Sequence, residues 1–326
     1  MKFSRLSWRA TASIIAIVLV LCIFLVTYLS DTSSHLLEWE FLRGLLEGPV
    51  LIIYILAIYP FMWRLRNQAL QAFKPILHLD NSAFTRLAAE VTTPKRRWEW
   101  TSVLIGVGVA FALGQPWNLP WGPGELWWSV YLVITSALMN GLLAWLIYDT
   151  LTGAVRINRL SRRDLKLDIF DTEILTPIAR WSLGISLAFI GGISLSLVFG
   201  TQESLLRWQS ITMYVILVCV TVLIFFISMW SAHGAMARVK RRELQLVQQH
   251  LRVASSKLKE RAADGRLEGM EKLSSTITAW VNYERRVKEA PEWPFNAGII
   301  RRLMASTLAP VAVFLIKVLS RLGISM

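Results

Sequence analysis

Four carboxylates, Asp164, Asp168, Asp171 and Glu173, fall in one short stretch of the chain, and carboxylates so spaced can hold a hard divalent cation against a phosphate. Arg159, Arg162, Arg163 and Lys166 are interleaved with them, which favours ordinary ion pairs in a solvated loop. His78 and Asp80 make a second, isolated pair in an amphipathic stretch. The only cysteines, Cys22 and Cys219, sit inside apolar runs, so neither a disulfide framework nor a thiolate metal site is expected. Gly-x-x-x-x-Gly-Lys-Ser/Thr, His-Glu-x-x-His and Gly-x-Ser-x-Gly do not occur, which removes an ATP-driven pump within this chain, a zinc protease and a serine hydrolase. No catalytic residue, cofactor-binding residue or cofactor is therefore assigned, and the expectation leans away from an enzyme.

The remaining polar chemistry lies at membrane depth. Asn140, with Thr135 and Ser136 on the same apolar segment, could hydrogen-bond between helices or line a permeation path. No Asp, Glu, Lys, Arg or His falls in the central turns of the six strongest apolar stretches, which argues against a proton-coupled carrier or a voltage sensor. Small residues recur every four positions at Gly106, Ala110 and Gly114, and again at Gly184, Ala188, Gly192 and Ser196. Such rows let helix backbones approach closely. They predict contacts inside a bundle, and the same surface would also suit a homodimer.

The elements that must position these residues follow from composition. The chain has 326 residues, of which 54% are hydrophobic, and a mean hydropathy of +0.47. Its apolar content exceeds what one soluble domain buries. Six stretches are long enough to span a bilayer: Ala12 to Leu29, Leu45 to Trp63, Trp100 to Gly114, Leu126 to Tyr148, Trp181 to Phe199 and Ile211 to Trp230. A seventh, from Leu303 to Ser320, is weakened by Pro310 and Lys317. The first follows Lys2, Arg5 and Arg9 without a small-x-small cleavage site, and reads as an uncleaved signal anchor. The expected fold is all-α, a polytopic membrane bundle over residues 1–230 with basic loops at 64–99 and 149–180. A helical hairpin over 231–290 and a membrane-associated or spanning helix over 291–326 complete it.

Orientation follows from charge. The N-terminal segment, the two basic loops and the stretch from Ser231 to Arg302 hold 31 of the 35 Lys and Arg residues, and the positive-inside rule puts them in the cytoplasm. Tryptophans near the span ends, including Trp63, Trp98, Trp100, Trp181 and Trp230 on that side and Trp117, Trp121, Trp127 and Trp208 on the other, suit the headgroup zone. The stretch Gln115 to Glu125 is dense in Pro, Gly and Trp, so no helix continues through it. The net charge of +13 is explained by anionic lipid beside span ends rather than by nucleic acid. Lys95, Arg96, Arg97, Arg162, Arg163, Lys240, Arg241 and Arg242 are the expected headgroup contacts.

Past the sixth span, Leu244, Val247, Leu251, Ala254 and Leu258 alternate by three and four, a coiled-coil seam. Ala263-Asp264-Gly265 breaks it, and Met270, Leu273, Ile277, Trp280 or Val281, and Val287 resume it. That pattern predicts two arms, paired within the chain or used for dimerisation. His250 on the first arm resembles the phosphoacceptor hairpin of sensor kinases in leaving the membrane directly. The resemblance ends there, because His250-Leu-Arg-Val-Ala254 lacks the acidic residue and Pro that follow that family's His. The stretches Leu167 to Asp171, Pro177 to Trp181 and Glu289 to Phe295 look like those of prokaryotic multi-pass membrane proteins, a resemblance that brings no activity with it and points to a bacterial or archaeal plasma membrane. The leading expectation is a membrane sensor or scaffold recruiting a cytoplasmic protein through residues 231–290, with homo-oligomerisation as an option. A channel or facilitator is the second, and a lipid-modifying enzyme using the acidic loop the third.

Overall fold

The computed structural model describes residues 8–30, 39–77, 80, 82, 84–86, 89, 96–122, 125–161, 170, 176–200, 207–264, 269–291, 301, 305, 312 and 316. Among them every regular element is a helix: α1 (Trp8–Leu29), α2 (Trp39–Ala72), α3 (Lys74–Leu77), α4 (Arg96–Gly114), a 3-10 turn (Pro116–Asn118), α5 (Leu126–Ser161), α6 (Thr176–Phe199), α7 (Trp208–Ala263) and α8 (Met270–Glu289). Five of these, α1, α2, α5, α6 and α7, are long and apolar enough to cross a membrane. Exposed apolar side chains such as Phe24, Leu104, Ile134, Val222 and Phe226 cover the bundle, as suits a protein solvated by hydrocarbon. This is an integral membrane protein.

The expected third span is different. Its helix, α4, begins at Arg96 and takes Arg97 and Glu99 into its first turns, so the apolar part starts only near Val103 and α4 is not one of the five. The expected seventh stretch, Leu303 to Ser320, lies outside the described residues apart from isolated positions.

Three boundaries move. α2 starts at Trp39 and ends at Ala72, running through Pro49 and Pro60, and α5 continues to Ser161. Arg64, Arg66, Asp149, Arg156 and Arg159, expected in loops, are therefore helical. The expected division at 230/231 also falls inside a continuous helix. α7 carries 56 residues without interruption, about 84 Å at 1.5 Å per residue, because no Pro interrupts it and helix formers dominate from Arg238 to Lys259.

α6 is the most buried of the five spans, with 56% of its apolar window buried against 17% for α7. Its small residues cause this. A Cβ on Gly184 would collide with Leu65 of α2, and one on Gly191 would strike the hydroxyl of Tyr54. That hydroxyl donates to the Ala188 carbonyl at 2.6 Å. Gly106 plays the same part for α4, where a Cβ would run into the Asn140 backbone of α5. Trp181, expected in a headgroup belt, is instead 1% exposed in the main core beside Ile157, Ile178 and Ile185.

α8 lies along the far part of α7. Val247 and Val287 are fully buried there, and Val239, Leu244 and Tyr283 pack around Val287 and Ala290. His250 stacks on Trp280 with ring centroids 4.6 Å apart and planes within 6°. Trp280 takes the seam position, since Val281 is exposed. The Lys240 ammonium donates to the carbonyls of Lys288 and Ala290 at 2.8 and 2.9 Å, satisfying acceptors that the end of α8 leaves open. Contacts of 240 with 288 and of 250 with 280 make the two helices antiparallel.

Candidate functional site

Two groups of polar side chains stand out in the apolar bundle, one at each end. At the first, Arg66 of α2 meets Asp149 of α5. One guanidinium nitrogen donates to both carboxylate oxygens, at 3.0 and 2.9 Å, and both residues are 8% exposed. Gly153 leaves room for the Arg66 chain, whose Cδ would lie 3.2 Å from a Cβ there, with Trp181 behind it. Tyr59 touches the same guanidinium and packs on Trp145 at 4.7 Å. The pair ties α2 to α5, and neither residue lines the cavity described next.

The second group surrounds a cavity of about 240 Å³ bounded by α2, α4, α5, α6 and α7. Its polar wall comes from Glu47, Ser196 and Tyr214, with Gln209 and Ser210 at the start of α7. The Ser196 hydroxyl donates to a Glu47 carboxylate oxygen at 3.0 Å and lies 2.9 Å from the Tyr214 hydroxyl. Toward the middle of the bundle the lining turns apolar, through Ile55, Leu143, Leu146, Phe189 and Leu217. Ser136 and Asn140 lie between these zones. The Asn140 amide donates to the Ser136 carbonyl at 2.9 Å, so it is partnered within its own helix.

Arg43, one turn before Glu47, does not line the cavity. Its guanidinium donates to the carbonyls of Val198 and of Gly200, the latter at 3.0 Å, and so caps the C-terminal end of α6. Beside this end, the connection after α4 folds on itself. Gln115 takes a left-handed φ of 46°, the Asn118 amide donates to the Gln115 side chain at 3.0 Å, and the Trp121 indole donates to the Pro116 carbonyl at 3.1 Å. The Ser129 hydroxyl donates to the Pro120 carbonyl.

The residues expected to line a path divide. Ser136 and Asn140 face the cavity, whereas Thr135 does not. It sits where a Cβ on Gly48 would come within 3.2 Å of it, and its hydroxyl donates to the Tyr131 carbonyl at 2.8 Å. Of the small-residue rows, Ala110, Gly114, Ala188, Gly192 and Ser196 reach the cavity wall, while Gly106 and Gly184 are helix contacts. Asp164, Asp168, Asp171, Glu173, Lys95, Arg162, Arg163 and His78 lie outside the described residues. Among the described residues no group of three or more His, Cys, Asp or Glu gathers as a metal site would. Arg96 and Arg97 are exposed at the start of α4, and Arg241 and Arg242 are exposed on α7. Lys240 is drawn instead to the end of α8.

Sequence reasoning gave Glu47, Tyr54, Tyr214, Arg66 and Asp149 no role. Glu47 was readable from Leu42-Arg43-Gly-Leu-Leu-Glu47, where acid and base four apart flank apolar residues, the spacing of one helical turn. No known protein family, no curated protein and no solved structure matches this chain.

Proposed function

We propose that this protein is a membrane sensor and scaffold, in which occupancy of the intramembrane cavity is relayed along α7 to a cytoplasmic helical hairpin that recruits a partner. The observation that carries this reading is the continuity of α7. Its first turns supply Gln209, Ser210, Met213 and Tyr214 to the cavity wall, and the same unbroken helix ends in the pair with α8. A helix without a hinge transmits rotation and tilt over its length, which a loop would absorb. Phe170 adds a second link. It meets Tyr283 at 5.9 Å and lies under the Arg286 guanidinium at 5.0 Å, so Phe170, which falls between α5 and α6 in sequence, touches α8.

In this reading the basic residues face the cytoplasm of a prokaryotic cell, with the cavity toward the opposite leaflet. Arg96, Arg97, Arg241 and Arg242 meet anionic headgroups, each contributing on the order of 1 kcal/mol. Spin labels at the exposed positions Arg252 and Lys272 test the relay in nanodiscs. Filling the cavity with Met213→Trp is expected to shift the distance between labels, and an unchanged distribution overturns the sensor reading. A facilitator is the second reading, favoured by Ser136, Asn140 and Gly192 sharing one cavity. Selective liposome flux abolished by Asn140→Leu would establish it instead.

A further inference from the structure

We propose that the cavity takes the end of a membrane lipid's acyl chain, about ten carbon atoms of it by volume, entering from the bilayer between α4 and α7. The size follows from comparison. An apolar cavity near 150 Å³ holds one benzene ring, and this one measures about 240 Å³. Depth agrees with it. Leu217, on the apolar floor with Leu143, Leu146 and Phe189, stands nine residues beyond Trp208 at the start of α7. That is about 14 Å along the helix at 1.5 Å per residue, roughly half of the 30 Å hydrocarbon layer and so at the level where chain ends lie.

Access and polarity both favour a lipid chain over a solute from water. α4 packs along α5 and touches α7 only lightly, yet both line the cavity, α4 through Val109 and Leu113 and α7 through Met213 and Leu217. Beside that seam Ile105 and Phe111 of α4 and Val215 and Ile216 of α7 are exposed, where hydrocarbon solvates the bundle. A chain therefore reaches the floor without leaving apolar surroundings. The polar groups along the lining meanwhile spend their hydrogens on the protein, Tyr54 on the Ala188 carbonyl, Ser196 on Glu47 and Asn140 on the Ser136 carbonyl. A polar solute that took these donors would have to break their bonds, whereas a chain asks nothing of them. What it supplies is the dispersion contact that an empty space forfeits.

The proposal names what fills the cavity of the sensing reading, and rests on that reading for the signal though not for binding itself. The test uses the full chain in nanodiscs containing phosphatidylcholine with a diazirine at the end of one acyl chain, and maps the crosslinks formed on illumination by mass spectrometry. Leu146 and Phe189, each 4% exposed, are out of reach of the lipid around the bundle and should nonetheless be labelled, together with the exposed Ile134. Val109→Trp, which fills the cavity, should cut the label on Leu146 and Phe189 at least about tenfold, while Ile134 keeps its own. Moving the diazirine to the first carbons of the chain should leave the floor unlabelled. Label confined to exposed positions overturns the proposal, as does a floor label that stays within about twofold of the original in Val109→Trp, or one that requires an anionic headgroup. Should Val109→Trp fail to fold, Met213→Trp fills the same space from α7, and an unchanged floor label there overturns the proposal too. A floor label in the original protein, with no change in the Arg252 to Lys272 distance in Met213→Trp, keeps the chain and sinks the relay. A distance change in that variant, with no floor label in the original protein, does the reverse.

Discussion

At one end of the bundle Arg66 and Asp149, carried by different helices, meet face to face, and at the other Arg43 and Glu47 share one turn of α2 yet serve different partners. The first pair satisfies its charges on each other at 2.9 to 3.0 Å, inside packed side chains. At the second end the arginine caps α6 while the carboxylate takes a serine hydroxyl and borders a cavity. Both carboxylates accept hydrogen bonds, but only one stands beside space. Charge in an apolar bundle is costly and so needs a reason. The contrast assigns cohesion of helices to one end and leaves the other beside open volume, where the proposed function places recognition.

The comparison breaks first at Asp149. Removing that carboxylate leaves a buried guanidinium whose Nε already lacks a partner, and stranding one member of a buried pair costs about 3 to 5 kcal/mol. Asp149→Ala should therefore be the most damaging single change considered, read as the midpoint of reversible unfolding in mixed micelles. Replacing both partners, with Arg66→Met and Asp149→Leu, should restore stability to within about 1 kcal/mol, since the pair offers little beyond mutual compensation. Glu47→Gln keeps an acceptor for Ser196 and should cost under about 1 kcal/mol. If Asp149→Ala proves no worse than Glu47→Gln, the two ends are not doing different jobs.

Packing sharpens the comparison at smaller magnitude. A side chain at Gly184 must displace Leu65, whereas at Gly114 it meets nothing among the described residues. Gly184→Leu should destabilise by about 1 to 3 kcal/mol through overpacking, and Gly114→Leu by under about 0.5 kcal/mol. The same unfolding assay decides it. Equal losses would mean that the space beside Gly114 is filled by protein, and the contrast between a closed and an open end would lose its basis.

How much of this was legible in the sequence depended on the length of the pattern. The apolar runs of α1, α5, α6 and α7 announced themselves, because the need for about 20 apolar residues leaves a long signal. Their ends did not. Arg66 and Asp149 sit just past apolar runs, and a charge there reads as the start of a loop unless its partner is known to stand across from it. The start of α2 was equally hard to see, because the apolar run begins at Leu45 while the helix reaches back to Trp39 through charged residues, with Pro49 inside it. The rows of small residues were plain at Gly106 and Gly184, but spacing alone could not say which members make contact and which face a cavity. Thr135 and Asn140 show the same limit. They lie five positions apart on α5, far enough around a helix of 3.6 residues per turn to face different neighbours.

The smallest effect concerns the far end of α7, where it pairs with α8. His250 lies flat on Trp280, with Tyr283 edge-on to the indole at 5.9 Å, and an aromatic contact of this kind contributes about 0.5 to 1.5 kcal/mol beyond area. Trp280→Ala should leave the bundle's unfolding midpoint unchanged, since among the described residues its ring meets His250 and Tyr283, both outside the bundle. It should instead broaden the Arg252 to Lys272 label distance and raise amide exchange along α8 several-fold, as about 1 kcal/mol of local stability implies. Val287, buried against Val239 and Leu244, keeps the near end of the pair closed in that variant, so exchange should rise toward Met270 and not toward Glu289. Uniform exchange along α8 would place the weak point in the whole pair and remove the stacked rings as its far clasp.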